Sequence, residues 1–207
     1  MEYPKIETLF TRDEKTFKVI PTELRNKCYS LIKFWEFTEK IDGTNIRIMW
    51  DGQKLTFGGR TDKADIPAPL VQHLMETVSI EKLQEKFGDT DVIIYGEGYG
   101  GKIQKGSFYS KEQKFIVFDI LVDRKWWLSW ENIVDISDFL GLKTVPYAGT
   151  MTLEEGVELV RRGFNSVLAL EQTGEKRLAE GVVGRTAETL YDKRGRRLII
   201  KLKTKDF

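Results

Sequence analysis

The chain has little of what disulfide-stabilised, secreted or membrane-spanning proteins require. It has one cysteine in 207 residues, Cys28, so an internal disulfide is excluded. No apolar run approaches the roughly 20 residues of a membrane span. The start MEYPKIETLF lacks the basic and apolar regions of a signal peptide. The sequence therefore predicts a soluble, cytoplasmic protein with no membrane partner.

A charge field of one sign is also missing. The formal net charge is +1, although charged residues make up 31% of the chain and both signs are spread along it. This balance excludes the bulk basic field of a passive polyanion binder. Any contact with nucleic acid must come from a local basic patch.

The composition is that of a folded domain. Hydrophobic residues make up 41% of the chain and aromatic residues 12%, which is enough to fill a sizeable core. There is no internal repeat, no low-complexity tract and no linker rich in proline, glycine and serine. The sequence predicts one domain over residues 1–207 that folds alone as a monomer.

Local patterns predict an α+β fold. Strands are indicated by β-prone runs bounded by glycine-containing turns. Helices are indicated by apolar residues at roughly helical spacing, with glycine or proline at their ends. The predicted strands are 34–40, 46–50, 54–58, 114–122, 180–185 and the C-terminal run RLIIKLKTKDF, which ends at the last residue. Residues 91–101 are predicted to form a strand that runs into a glycine-rich loop. The predicted helical stretches run from Pro67 to about Phe87, over 130–140 and over 152–163.

The turn EKIDGTN, residues 39–45, places Lys40 between two predicted strands. Lysine is a covalent nucleophile only when neutral, so sites that use one crowd it with other cations or desolvate it. Gly43 allows a close backbone approach, and Asp42 and Asn45 add a carboxylate and an amide beside the turn. Taken alone, these residues are also typical of a solvated hairpin.

Three acids occupy places that suit a ligand. Glu97 lies between glycines at the end of an apolar strand, where one acid is exposed to a ligand, or it is a plain turn glutamate. Asp119 interrupts an apolar run, where an unpaired carboxylate is costly, so it must be paired or face a pocket. Phe118 is expected on the opposite strand face, for base stacking or core packing. Glu180 begins a strand and suits a hydrated metal or a ribose, or is an ordinary surface acid.

Basic residues near the C-terminus suit phosphate. Lys201 and Lys203 lie two apart on one strand face and fit a phosphate, or protect an edge strand from aggregation. The polar turn DKRGRR, residues 192–197, is a candidate nucleic-acid patch or a solvated hairpin tip. Three tryptophans are expected to pack in the core or against helices: Trp126, Trp127 and Trp130.

The order of these segments resembles the motifs of the covalent nucleotidyltransferase superfamily, which includes polynucleotide ligases and RNA capping enzymes. KIDGTN resembles motif I, IIYGEGYG motif III, FIVFDI motif IIIa, EGVVGR motif IV and LIIKLKTK motif V. The asparagine after KIDGT and the string IQKGSFY are most similar to ATP-dependent RNA ligases of the RNA ligase 2 type. The resemblance runs from about residue 34 to the end.

This resemblance implies a nucleotidyltransferase domain that is ATP-grasp-like, with antiparallel sheets flanked by helices and ATP held between them. It implies that Lys40 takes AMP from ATP, that AMP passes to the 5′-phosphate of an RNA end, and that a 3′-hydroxyl displaces it. Mg²⁺ or Mn²⁺ would assist the transfer. The implied partners are RNA ends, in RNA repair.

The resemblance also implies residue roles. Lys40, Lys201, Lys203 and Arg60 form the catalytic set. Phe118 stacks on adenine, Glu97 binds the ribose, and Arg60 contacts the ribose or a phosphate. The other nucleotide-binding residues are Asn45, Asp119 and Glu180. The metal is expected to contact Asp42, Glu97 and Glu180, largely through water.

Two features depart from the family pattern and keep alternatives open. Many RNA ligases of this type have histidine where this chain has Asp42, and Lys-x-Asp-Gly is also the DNA ligase form, so DNA or hybrid nicks are alternative substrates. The chain stops four residues after Lys203, before any OB or helical C-terminal domain. It is expected to be a monodomain ligase or a catalytic domain alone. The rival functions are a DNA ligase core, a GTP-using capping enzyme and a non-catalytic module that binds nucleic-acid ends.

Overall fold

The α+β class is confirmed within residues 1–104 and 106–207, which the computed structural model describes. Lys105, one residue of the string IQKGSFY, lies outside them. The first six strands are β1 (Glu7–Thr8), β2 (Phe10–Arg12), β3 (Val19–Leu24), β4 (Trp35–Glu39), β5 (Thr44–Trp50) and β6 (Leu55–Gly58). The other six are β7 (Val92–Tyr99), β8 (Lys114–Val122), β9 (Trp126–Trp127), β10 (Tyr147–Met151), β11 (Gly181–Arg185) and β12 (Ile199–Lys203). The α-helices are α1 (Ala68–Thr77), α2 (Ile80–Phe87), α3 (Trp130–Leu140), α4 (Leu153–Arg162) and α5 (Val167–Thr173).

The contacts divide the chain into two units. The first contains Met1–Pro4 and Asp42–Val145, and the second contains Lys5–Ile41 and Pro146–Phe207. Each has its own five-stranded sheet, and the second also has the β2–β3 hairpin. The chain passes from the second unit to the first between Ile41 and Asp42, inside the turn that carries Lys40.

The sheet of the first unit has the order β6-β5-β7-β8-β9, with every neighbouring pair antiparallel. Leu70 of α1 lies against Gly98, where an added Cβ would come within 2.4 Å of it. Because strand neighbours point to opposite faces, Glu97 lies on the face away from α1. This second face carries the candidate residues of the first unit.

The sheet of the second unit has the order β1-β12-β11-β4-β10. The short β1–β12 pair is parallel and the other pairs are antiparallel. Trp35 and Phe37 of β4 are fully buried in a core with residues of α4 and β12. Helix α4 approaches β4 closely at Gly156, where an added Cβ would lie 2.6 Å from the Phe37 ring. This packing supports β4, an interior strand of the sheet that leads to Lys40.

The predicted helical stretch from Pro67 to Phe87 is two helices. Ser79 lies between α1 and α2 in extended conformation, and its hydroxyl accepts a hydrogen bond from the Lys82 amide. A serine in that position begins a new helix because it satisfies one of the free first-turn amides. Helices α3 and α4 match their predictions closely.

Several elements were not predicted from the sequence, among them β1, β2, β3, β10 and α5. The expectation for the tryptophans was wrong in one case, because Trp126 is 59% exposed on the two-residue edge strand β9, whereas Trp130 is buried. No helix in the part of the chain that the structure describes has both the length and the apolar character needed to cross a membrane.

Candidate functional site

Lys40 directly follows the last residue of β4. Its backbone amide donates to the Gly181 carbonyl at 2.9 Å, which continues the β4–β11 pairing by one step. Gly181 sits in the left-handed half of backbone space, at φ +151°, and an added Cβ would lie 1.9 Å from the Leu202 carbonyl oxygen. The close approach of β4, β11 and β12 at this point therefore requires glycine and brings the motif residues of three strands together.

Glu180 joins the two predicted lysines. The Lys40 ammonium donates to Oε2 of Glu180 at 2.7 Å, and the Lys203 ammonium donates to Oε1 at 2.6 Å. The side chains of Lys40, Glu180 and Lys203 are 22%, 16% and 22% exposed, so solvent screens the two ion pairs only in part. The structure thus brings together three of the predicted residues, with one carboxylate between two cations.

The charges around Glu180 alter two pKa values. Burial by itself would raise the pKa of the Glu180 carboxyl, but the attraction and hydrogen bonds of Lys40 and Lys203 outweigh it and lower that pKa. Burial lowers the pKa of Lys201, and the neighbouring charges of Lys203 and Lys40 lower it further. Three lysines beside one carboxylate leave an excess of positive charge, which suits a phosphate group.

Lys201 and Lys203 lie as predicted on one side of β12. Both are half-buried, whereas Leu202 between them is 3% exposed in the core. In the sheet, Lys203 lies opposite Gly181 and Lys201 lies opposite Val183. The alternative that these lysines protect a sheet edge does not hold, because β12 has β11 on one side and β1 on the other.

The turn after Lys40 is held by the first unit's own residues. The Asp42 amide donates to the Tyr109 hydroxyl at 3.1 Å. An added Cβ at Gly43 would lie 2.2 Å from the Gly98 carbonyl oxygen, so the predicted close backbone approach is confirmed. Tyr109 is 2% exposed and was missed by the sequence analysis, since its partner is 67 residues away.

Asn45 and Glu97 face each other across β5 and β7. Residues directly opposite on paired strands share a face, so both side chains lie on the face away from α1. The Asn45 Oδ1 atom is buried and has no hydrogen-bond partner among the residues described. A buried acceptor without a partner suits a bound group that donates to it, such as the water shell of a metal ion.

Asp119 is paired, as predicted. It is fully buried and accepts a hydrogen bond from the Tyr3 hydroxyl at 2.7 Å. The expected separation of Phe118 and Asp119 onto opposite faces was wrong. Asp119 lies opposite Tyr95 and Val117 opposite Gly96, so Phe118 is an extra residue in β8. Such a bulge breaks the alternation of side chains.

Tyr3 therefore contacts both members of the predicted adenine site. Its ring packs edge to face with Phe118 at 5.0 Å, and also with the rings of Tyr95 and Trp127. The sequence analysis missed Tyr3 because it lies before the stretch that carries the family motifs. The Phe118 ring is thus part of an aromatic cluster on the same face as Glu97.

Arg60 is exposed in the loop after β6. The loop is held by Arg47, which is fully buried, donates to the Gly59 carbonyl at 2.8 Å and pairs with Asp62 at 2.8 Å. The sequence analysis missed Arg47, although an arginine inside the run TNIRIMW is as unusual as Asp119 in its own strand. Arg47 fixes the loop from which Arg60 extends.

The predicted metal ligands do not form a direct metal cluster in the part of the chain that the structure describes. No group of three or more His, Cys, Asp or Glu side chains there is arranged to hold an ion. Both oxygens of Glu180 accept hydrogen bonds from lysines. The assignment of metal contacts to Asp42, Glu97 and Glu180 stays a prediction.

Solved structures similar to this chain include several of Naegleria gruberi RNA ligase. One mutant in the apo state is 19% identical, with a TM-score of 0.67 over 98% of this chain and 57% of that chain. A mutant with ATP and Mn is 18% identical, with a TM-score of 0.68 over 98% of this chain and 56% of that chain. A mutant with AMP and Mn is 20% identical, with a TM-score of 0.65 over 98% and 57%. These likenesses support the fold.

The chain spans little more than half the length of these matched structures. No match was found among the curated proteins. The family model described as RNA ligase matches residues 33–203, which is most of the chain and includes the motifs named above except the last two residues of LIIKLKTK. The predicted resemblance is confirmed, and the chain belongs to the RNA ligase family.

Proposed function

We propose that this chain is an ATP-dependent RNA ligase that joins 5′-phosphate and 3′-hydroxyl ends through a lysyl-AMP on Lys40. The observation that supports it most is the Glu180 carboxylate, which holds the ammonium groups of Lys40 and Lys203 at 2.7 and 2.6 Å. Family membership supplies the reaction type.

In the first step, the Lys40 ammonium gives a proton to solvent and its Nζ attacks the α-phosphorus of ATP; the nitrogen gives a second proton to solvent as it becomes a phosphoramide. The N–P bond forms, the bond from the α-phosphorus to the bridging oxygen breaks, and pyrophosphate leaves. Phosphoryl transfer depends on positioning and on neutralising charge. Lys203 lies opposite Gly181, whose carbonyl accepts a hydrogen bond from the Lys40 amide. Lys203 and the neighbouring Lys201 supply positive charge for the phosphate oxygens.

In the second step, an oxygen of the RNA 5′-phosphate attacks the phosphorus of the lysyl-AMP. A pyrophosphate link between AMP and the RNA end forms, and the N–P bond to Lys40 breaks. In the third step, the 3′-hydroxyl of the other end gives its proton to solvent and attacks the 5′-phosphorus, a phosphodiester forms and AMP leaves. We propose that Phe118 stacks on the adenine, Glu97 binds the ribose, and Arg60 contacts the ribose or a phosphate.

The nucleotide and the metal follow from the same proposal. The matched structures of Naegleria gruberi RNA ligase contain ATP and Mn or AMP and Mn. Carboxylate and amide oxygens of the kind supplied by Asp42, Asn45 and Glu97 suit Mg²⁺ or Mn²⁺ that keeps several waters. When bound, such an ion supplies charge stabilisation at the phosphates. Asn45 Oδ1, buried without a partner in the described structure, fits a water of that shell.

The RNA is proposed to contact the hairpin that joins β11 and β12. Its turn is ordered by Asp192, which accepts hydrogen bonds from the backbone amides of Arg194 and Arg196 and from the Arg196 guanidinium. Lys193 and Arg194 are exposed at the tip. An ordered turn that presents cations suits a phosphate backbone.

The remaining sequence predictions stay proposals. We propose that residues 1–207 act as one adenylyltransferase domain, although the chain contacts divide into two units. The monomeric state, the cytoplasmic location and the preference for RNA over DNA or hybrid nicks are likewise predictions.

The proposal is tested by intact mass after incubation with Mg²⁺ and ATP, and separately with GTP. Wild type is expected to gain one AMP from ATP. Lys40→Ala is expected to gain nothing, because the nucleophile is absent. Lys54→Ala is the matched control, since Lys54 is an exposed lysine at the β5–β6 hairpin.

Each outcome separates the rivals. A GMP adduct in place of AMP would favour the capping enzyme. The purified protein is first treated with pyrophosphate to show that it carries no AMP. If neither nucleotide then forms an adduct, the result favours the non-catalytic module that binds nucleic-acid ends. If AMP is gained, joining of matched RNA, DNA and hybrid nicks then decides the strand preference.

A further inference from the structure

Glu39, the residue before Lys40, is a buried acid that none of the family motifs uses. It ends β4 and is 2% exposed. Its Oε1 atom accepts a hydrogen bond from the Ser166 hydroxyl, and its Oε2 atom accepts from the backbone amides of Val167 at 2.9 Å and Leu168 at 3.4 Å. The carboxylate thus binds the first turn of α5 with three donors.

The simplest reading of this contact is an ordinary helix cap, but α5 already has one. Ser166 is its N-cap and accepts a hydrogen bond from the Ala169 amide at 3.0 Å. The Glu39 carboxylate is additional and comes from another element, 127 residues from Ser166. Its function is therefore to join α5 to the end of β4.

A buried carboxylate is an expensive way to make this link. Burial raises the pKa of Glu39, and the hydrogen bonds from Ser166 and the backbone amides offset this only in part. An apolar residue in the same place would avoid the desolvation cost. A carboxylate fixes both the direction and the distance between the end of β4 and α5, because its two oxygens accept hydrogen bonds from separate donors.

The neighbouring backbone is fixed on both sides. The Glu39 amide donates to the Pro146 carbonyl at 2.8 Å, and the Lys40 amide donates to the Gly181 carbonyl at 2.9 Å. These bonds hold the strand in the plane of the sheet. The Glu39 side chain adds contacts with α5 that are not part of the strand pairing. These contacts lie one residue before Lys40, whose ammonium donates to Glu180.

We propose that Glu39 is a positioning residue that anchors the end of β4 to α5 and thereby sets the direction of the Lys40 side chain for attack. The inference rests on the proposed function, because it concerns the rate of lysyl-AMP formation. It assigns no contact with the nucleotide to Glu39. A substitution of Glu39 is therefore expected to lower the rate of lysyl-AMP formation more than the affinity for ATP.

The test is single-turnover adenylylation of the full chain over a range of ATP concentrations with Mg²⁺. Glu39→Ala is expected to lower the plateau rate by about tenfold to 100-fold, since small misplacements of a reacting group have effects of that size. The ATP concentration at half-maximal rate should change by less than about threefold. Glu39→Gln keeps an oxygen for the two amides and is expected to retain most of the rate.

Two further variants separate positioning from stability. Thr152→Ala removes the N-cap of α4 in the same unit, which costs about 1 kcal/mol of stability, yet should leave the plateau rate within about twofold. Glu39→Asp keeps the charge but is too short to reach every donor, so its plateau rate should fall even if Glu39→Ala does not fold. Thermal unfolding of each variant is recorded alongside.

The proposal is overturned if Glu39→Asp and Glu39→Ala keep the wild-type plateau rate, or if only the half-maximal ATP concentration rises. It is also overturned if Thr152→Ala loses as much rate as Glu39→Ala for the same loss of stability. If wild type itself forms no adduct, the proposed function has failed, and that result is distinct from a normal wild type with unaffected Glu39 variants.

Discussion

The Glu180 side chain takes part in both ion pairs of the candidate site. Each of its oxygens accepts a hydrogen bond from a different lysine, so both ammonium groups share one carboxylate. The Lys40 ammonium also donates to the Ile41 carbonyl, at 3.4 Å. Replacing it leaves two half-buried cations facing each other without compensation. A charged group that loses its partner in such a place is destabilised.

Glu180→Gln is expected to lower the free energy of unfolding at neutral pH by about 1–3 kcal/mol, as expected for losing a partner of charged groups. The folded-state pKa of Glu180 is lowered. Its stabilising contribution is therefore fully present above the unfolded value of about 4.3 and is lost as the pH falls through the folded-state value. Urea unfolding at neutral and acidic pH measures the difference between the two chains.

The control for this prediction is Glu14→Gln, which changes an exposed acid in the β2–β3 loop. Its unfolding free energy should differ little from wild type at either pH. A deficit for Glu180→Gln that stays constant, or grows, as the pH falls would contradict the assigned ion pairs.

The residues that the sequence analysis found and those it missed differ in the range of their contacts. Lys40, Lys201 and Lys203 belong to short local patterns. Tyr3 and Tyr109 are recognised only by partners 116 and 67 residues away. A single sequence without such pairings cannot show which distant side chains meet, because many tyrosines have the same local surroundings.

At the scale of elements, short-range patterns predicted β4, β5, β6 and β8 within a few residues of their observed bounds. The failures arose where one residue changes the pattern. The extra residue in β8 moved Phe118 onto the face of Asp119, and Ser79 divided one apolar stretch into two helices. Hydrophobic periodicity continues through both features and therefore does not reveal them.

The β11–β12 hairpin carries a prediction about RNA. The double change Lys193→Ala and Arg194→Ala is expected to weaken RNA-end binding, since it removes two exposed cations from an ordered turn. The slope of log K against log salt should fall by about 1 to 2, as for the loss of up to two phosphate contacts. Lysyl-AMP formation should be unchanged.

Filter binding of a 5′-phosphorylated RNA across a salt series measures this slope, and intact mass measures the AMP adduct. The matched control is Lys54→Ala with Lys63→Ala, which removes two exposed lysines from the first unit. Equal loss in the control pair would mean that the hairpin contributes only general charge. Loss of the AMP adduct would mean that the hairpin variant is misfolded.

At the scale of the whole molecule, the question is whether two units behave as one domain. Each has a sheet and a hydrophobic core of its own. The chain passes between them three times, at 4–5, at 41–42 and at 145–146. Composition and length predicted a single domain, and no local pattern marks these crossings.

Lys40→Ala is the chain in which to test this, because under the proposed mechanism it binds ATP and forms no adduct. If residues 1–207 act as one domain, unfolding should occur in a single transition that ATP shifts. At about 100 times its dissociation constant, ATP should add about 2.7 kcal/mol, or about 5–10 °C in Tm for a chain of this size.

Calorimetry with ATP, with GTP and without nucleotide makes this measurement. GTP at the same concentration is the control and should shift the transition less, since the proposed donor is ATP. Two separate transitions, of which ATP moves one or neither, would contradict the single-domain prediction.

The ion pair of Lys40 has a consequence for the resting protein in a cell. The Lys40 ammonium and that of Lys203 already have a carboxylate partner, so an anionic group that approaches either lysine must compete with Glu180. Glu180 is therefore a built-in competitor that any phosphate arriving at these lysines has to displace.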